Sequence, residues 1–158
     1  MSPYIAVVGS GDFDERTSAV AEEVGRELAA RGCVLVCGGL GGVMEAACRG
    51  AKSAGGTTIA ILPGERRSDA NEFVDIAIPT GMGEMRNALL VRTVDAVIAV
   101  GGEFGTLSEI AFALKTGTPV VGIDTWHLSK DSGEVDAIAR ADSAQAAVDW
   151  AVSAHRPG

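Results

Sequence analysis

The chain has 158 residues, of which 47% are hydrophobic and 22% charged, and a formal net charge of −8. These proportions fit one globular domain, residues 1–158, with a core of its own. The scattered, outnumbered basic residues exclude a phosphate-neutralising face for DNA or RNA, though not a small phosphorylated ligand held by a helix N-terminus and an arginine or two.

Tyr4 to Val8 is a short apolar run ending at Gly9-Ser10-Gly11 and reads as a buried strand. Glu15 to Arg31 reads as a helix, with Val20, Val24 and Leu28 on one stripe and Gly32 closing it. Cys33 to Cys37 is a second strand, running into Gly38-Gly39-Leu40-Gly41-Gly42. A helix over Val43 to Ala54 stops at Gly55-Gly56, and a third strand, Thr57 to Leu62, stops at Pro63-Gly64. The polar loop 65–72 carries Arg66 and Arg67, either solvated or able to close over a ligand.

Val74 to Ile78 is a fourth strand, Gly83 to Thr93 a strongly apolar helix, and Asp95 to Val100 a fifth strand. Thr106 to Thr116 is a helix and Pro119 to Ile123 a sixth strand. Trp126 to Gly133 reads as loop and Val135 to Arg140 as a last strand. Ser143 to His155 is a closing helix with Ala144, Val148, Ala151 and Val152 facing inward. Strands without polar alternation, mostly separated by helices, predict a mostly parallel sheet of about six or seven strands covered on both faces. In such sheets ligands bind beyond the carboxyl ends of the strands. The glycine clusters 9–11, 38–42 and 101–105 all fall at such ends.

A dinucleotide fingerprint begins at Gly9-Ser10-Gly11 but meets Asp14 where its third glycine belongs, and the second cluster meets Met44. No Gly-Lys-[Ser/Thr] triplet is present for a P-loop. The turn Gly101-Gly102-Glu103-Phe104-Gly105-Thr106 is different. It follows an apolar strand, lets backbone N–H groups turn toward a ligand, and opens a helix whose positive end favours an anion. Thr106-x-x-Glu109 matches a capping box, so Glu109 reads either as a helix cap or as a catalytic carboxylate. Arg86, on the first turn of an apolar helix, reads either as a surface ion pair or as the partner of a phosphate or carboxylate ligand.

The three cysteines, Cys33, Cys37 and Cys48, lack zinc spacing. Cys33 and Cys37 are set about 13 Å apart along one strand, so all three read as reduced core residues. His127 and His155 have no companion ligands, and no metal is expected. No run reaches the ~20 apolar residues of a membrane span, and the N-terminus runs straight into a strand without a signal-peptide pattern. A cytoplasmic protein that touches neither membrane nor nucleic acid is the expectation.

Two segments carry a family resemblance: Gly38-Gly39-Leu40-Gly41-Gly42-Val43-Met44-Glu45 and Gly101 to Glu109. With them the chain resembles the LONELY GUY and lysine decarboxylase-like families, grouped with DNA-processing protein A. The LONELY GUY signature reads P-G-G-x-G-T-x-x-E, and residues 101–109 read G-G-E-F-G-T-L-S-E. The Gly83-Glu84-Met85-Arg86-Asn87 segment is similar to the short branch containing molybdenum cofactor carrier proteins. The resemblance implies a Rossmann-like three-layer αβα domain that forms a homodimer or higher homo-oligomer through helices flanking the site. It also implies a phosphate or ligand site built from Gly9, Ser10, Gly38, Gly39, Gly41, Gly42, Met44, Arg86, Asn87, Gly101, Gly102, Gly105 and Thr106. In the LONELY GUY phosphoribohydrolases the paired functional residues fall on Arg86 and Glu109. Here Gly101 replaces the signature proline, Glu103 replaces an inner glycine, and Glu84 and Asn87 replace a histidine and a lysine.

Three readings follow. The first is a carrier of a nucleotide or pterin nucleotide such as molybdenum cofactor, with no cofactor required for the protein itself. The second is a phosphoribohydrolase releasing free base from a nucleoside 5′-monophosphate. The third is an interaction protein with a vestigial pocket.

Overall fold

The computed structural model describes residues 1–155; residues 156–158 of the expected domain lie outside the described residues. The chain opens with β1, Tyr4–Gly9, then α1, Glu15–Ala30, and β2, Val34–Cys37. Next come α2, Val43–Ser53, β3, Thr57–Leu62, and β4, Ile76–Pro79. A short 3-10 turn, Gly83–Met85, leads into α3, Arg86–Arg92. β5, Ala96–Val100, α4, Phe104–Thr116, and β6, Val120–Ile123, follow. The chain then forms β7, Leu128–Lys130, β8, Gly133–Val135, β9, Ala139–Arg140, and α5, Ala144–Ala154.

The main sheet has seven strands in the order β4-β3-β2-β1-β5-β6-β9, and every neighbouring pair is parallel. The side chains of each strand alternate between two cores. Ile5 and Val7 of β1 join Val24 and Leu28 of α1, Ala47 of α2 and Val148 of α5 on one face. Ala6 and Val8 join Leu90 and Val91 of α3 and Ile110 and Ala113 of α4 on the other. This is the Rossmann-like three-layer arrangement. Because the order of strands reverses between β1 and β5, a crevice opens above their carboxyl ends, where Gly9 pairs with Val100.

Helices α1 and α2 cross at contact distance through two glycines. A Cβ on Gly25 would stand 1.9 Å from the Ala47 carbonyl oxygen, and one on Gly50 1.8 Å from that of Glu22. This close crossing brings the starts of both helices to the same crevice.

Four local expectations are corrected. β4 starts at Ile76 rather than Val74, because the Asp75 carboxylate accepts the Thr58 N–H at 2.9 Å in place of a backbone partner. The segment read as loop contains an antiparallel hairpin, β7 with β8, turned by Gly133 at φ +124. Residues 133–135 are therefore taken by the hairpin, and the last strand of the sheet shortens to Ala139–Arg140. In α5 Val152 is only half-buried, and Ala147 takes the inward position beside Val148 and Ala151. The three cysteines are free and buried, as expected, but Cys37 meets Cys48 of α2, with their sulfurs 3.5 Å apart.

Candidate functional site

The helices that begin at the crevice differ in how their first N–H groups are satisfied. At α1 the Asp14 carboxylate accepts the Thr17 N–H at 2.9 Å, and this backbone bond holds the Asp14 carboxyl below its ordinary range. The positive end of α1 is thus already matched by a carboxylate. At α2 the N-cap is Gly42 at φ +60, and the Val43 N–H donates to the Ser10 carbonyl at 3.0 Å. At α4 the N-cap is Glu103, and no side chain caps the helix. An anion is the natural complement to that end.

The turn before α4 needs its two leading glycines. Gly101 and Gly102 have φ of +56 and +105, and a Cβ on Gly102 would lie 2.5 Å from the side chain of Thr106. Helix α4 begins two residues earlier than predicted, so Thr106 is its third residue and not its cap. The capping box is not formed, and Glu109 lies in the second turn with its side chain in the cleft. Glu103, where the anion turn has a carboxylate, is exposed at the rim; its carbonyl accepts the Trp126 indole N–H at 3.2 Å.

The cleft has a volume of about 290 Å³ and opens to solvent, at the lower end of the range of small-ligand pockets. Of the predicted ligand residues, Gly9, Ser10, Gly38, Met44, Arg86, Asn87, Gly105 and Thr106 line it, and so does Glu109. Gly39, Gly41, Gly42, Gly101 and Gly102 lie in the surrounding turns. Their glycine character serves the backbone: a Cβ on Gly39 would meet Ala60 at 2.5 Å, and one on Gly42 the Ser10 carbonyl at 2.3 Å. Sequence reasoning passed over Gly11, Asp12, Leu40 and Glu84, which also line the cleft. Gly11 and Leu40 belong to glycine clusters already noticed; the two acidic residues carry no spacing signal. Arg66 points away to pair with Asp69 at 3.1 Å, and His127 and His155 face Glu134 and Asp95 instead of the cleft.

Arg86 is the cation of the site. It is buried, at 6% exposure, and its Nε has no hydrogen-bond partner among the described residues. One guanidinium nitrogen donates to Asn87, and another lies against the backbone of Gly38. A buried guanidinium with an unused donor costs stability unless an acceptor arrives. Glu109, at 7% exposure, is the counterpart. Burial pushes its carboxyl up to about 7; Arg86 pulls the other way without overcoming it, and Glu84 adds to the rise. The cleft therefore combines anion donors with a carboxyl that can give or take a proton near neutrality.

Sheet and crevice together define a Rossmann-like protein with a cleft at the switch point between β1 and β5, lined by a buried arginine and a buried glutamate. Comparison with known proteins narrows this. The chain matches the profile of the SLOG cluster4 family over residues 2–148, and it belongs to that family. Its fold superposes on the molybdenum cofactor binding protein of Rippkaea orientalis with a TM-score of 0.87 and 35% identity, covering 97% of each chain. The molybdenum cofactor carrier protein of Chlamydomonas reinhardtii aligns with a TM-score of 0.84 and 34% identity over 98% of each. A Mycobacterium tuberculosis relative, described as a cytokinin riboside 5′-monophosphate phosphoribohydrolase, is 34% identical over 117 residues, which span 68% of this chain and 62% of that protein. Among the described residues no helix is long and apolar enough to cross a membrane.

Proposed function

We propose that the cleft binds a phosphorylated small molecule, a nucleotide or a pterin nucleotide such as molybdenum cofactor, and that the protein acts as its carrier. The observation that carries this reading is the buried guanidinium of Arg86, with an unpartnered Nε, lining the same cleft as the start of the uncapped helix α4. A phosphate there accepts from both, as charge-assisted hydrogen bonds require. The two molybdenum cofactor proteins that align over nearly the whole chain support the pterin alternative. The ligand is taken as small: the net charge of −8 disfavours a nucleic-acid backbone. Three free buried thiols accord with a reducing, cytoplasmic setting.

A second reading, phosphoribohydrolase activity on a nucleoside 5′-monophosphate, is favoured by Glu109. It is not a helix cap, it faces the cleft, and it stays protonated to about 7. The neutral acid can donate to a departing base, and the carboxylate can stabilise positive charge on the ribose. The test is direct: incubate the protein with AMP, GMP and isolated molybdenum cofactor, and follow thermal shift and free base together. A shift without base release supports the carrier. Base release that Glu109→Gln abolishes replaces it with the enzyme, and neither effect points to an interaction protein.

A homodimer is part of the proposal. One side of α3 packs into the core through Leu90 and Val91, while Met85 and Leu89 remain exposed, Met85 at 67%. Ile76 and Ile78 of the edge strand β4 and Met82 are exposed as well. A second copy covering this apolar face would complete the two-sided burial that the sequence of the helix calls for.

A further inference from the structure

Asn87 lines the cleft, and both ends of its amide are engaged by neighbouring side chains. The side chain is buried at 2% exposure. Its oxygen accepts from Arg86, and its nitrogen donates to the Ser108 hydroxyl at 2.7 Å. The Ser108 hydroxyl in turn donates to the Gly105 carbonyl at 2.7 Å. The chain of bonds thus runs from the first residue of α3 to the second residue of α4.

Its direction is fixed by what each group can do. A guanidinium only donates and a carbonyl only accepts. Ser108 has one proton, and it is spent on Gly105, so the hydroxyl must accept from the amide nitrogen. That orients the amide with its oxygen toward Arg86, the only end an arginine can use. The guanidinium is held by one nitrogen, and its buried Nε has no partner among the described residues.

We propose that Asn87 and Ser108 are positioning residues, which aim Arg86 at the anion bound at the start of α4. This rests on the reading of the cleft as a phosphate site. Ser108 does not line the cleft, so its effect on binding passes through the groups it bonds, Asn87 with Arg86 on one side and Gly105 on the other; Asn87→Asp isolates the first route.

The test uses the full chain and three substitutions, with titration calorimetry against inorganic phosphate, AMP and adenosine. Ser108→Ala removes the hydroxyl and should weaken phosphate and AMP by about fivefold, in line with loss of a hydrogen bond that orders a charged group, and leave adenosine unchanged. Ser108→Thr keeps the hydroxyl and should bind as the parent does. Asn87→Asp is nearly isosteric, but its carboxylate neutralises Arg86 and cannot donate to Ser108; phosphate binding should fall by more than about tenfold. Unchanged affinity in Ser108→Ala or Asn87→Asp, with the parent binding phosphate, overturns the relay alone. A parallel loss of adenosine binding also overturns it, because a general distortion of the cleft would then be the cause. Failure of the parent chain to bind any phosphate overturns the phosphate site itself, and the relay with it.

Discussion

A guanidinium nitrogen of Arg86 occupies the space that a side chain on Gly38 would need: a Cβ there would stand 2.7 Å from it and 2.8 Å from the Met44 sulfur. The second glycine turn therefore serves the site by leaving room for the arginine. Gly38→Ala should displace the ends of two flexible side chains, not the backbone, so the fold survives. Phosphate affinity should fall by about tenfold or more, as expected when a charge-assisted pair is misaligned. Calorimetry with inorganic phosphate, alongside circular dichroism, checks both halves of this expectation.

Glu109 ties stability to pH. Its carboxyl ionises near 4.5 when unfolded and at about 7 when folded. Between those values unfolding releases a proton, so stability falls as pH rises through the window and is level below and above it. The full difference is on the order of 3 kcal/mol at about 1.4 kcal/mol per pKa unit. Glu109→Gln should therefore stabilise the ligand-free protein at pH 8 and much less at pH 4.5, as denaturant titrations at the two values will show. An equal effect at both contradicts the raised carboxyl.

Asp14 offers a contrast between stability and binding. Its carboxylate caps α1 through the Thr17 N–H and hydroxyl. Asp14→Ala should cost about 1 kcal/mol of stability, typical of a lost cap. Affinity for phosphate should stay the same, because the proposed anion site lies at α4 and Arg86. A large loss of phosphate binding would show that α1 takes part.

The proposed homodimer rests on the exposed side of α3. Leu89→Asp places a charge in the centre of the apolar face formed with Met85. Light scattering should give a two-chain mass for the parent and a one-chain mass for the variant, because an unpaired charge buried at an interface costs several kcal/mol. A one-chain mass for the parent refutes the homodimer.

The two glycines at the crossing of α1 and α2 are structural. Gly50→Ala would drive a methyl to 1.8 Å from the Glu22 carbonyl oxygen, a backbone atom that cannot swing aside as a side chain could. Overpacking of this kind costs roughly 1–3 kcal/mol or more, and a lowered thermal midpoint should accompany it.

Most of the sheet was legible because its strands are continuous apolar runs punctuated by glycine, and a buried parallel strand has no other way to be written. Ile5 to Val8 and Ala96 to Val100 are cases in point. The hairpin at 128–135 was not legible: its strands are three residues each, polar and mostly exposed, so neither periodicity nor burial marks them. The meeting of Cys37 with Cys48 was hidden for another reason, since one lies on a strand and the other on the helix packed over it.

The site divides in the same way. From the sequence alone came the glycine turns, the arginine that opens α3, and the glutamate that follows the third turn, because each is written in a few adjacent residues. Whether Glu109 was a cap or a cleft residue could not be read there, since both put the same residue at the same spacing. Only the tertiary structure decided it. It started α4 at Phe104, moved Thr106 inside the helix, and buried Glu109 in the cleft beside Arg86. It also joined Asn87 to Arg86 and to a hydroxyl on another helix. Local sequence fixes which backbone turns are possible, but the burial that raises a carboxyl and the partners that aim a guanidinium come from segments distant in the chain, brought together when the sheet closes.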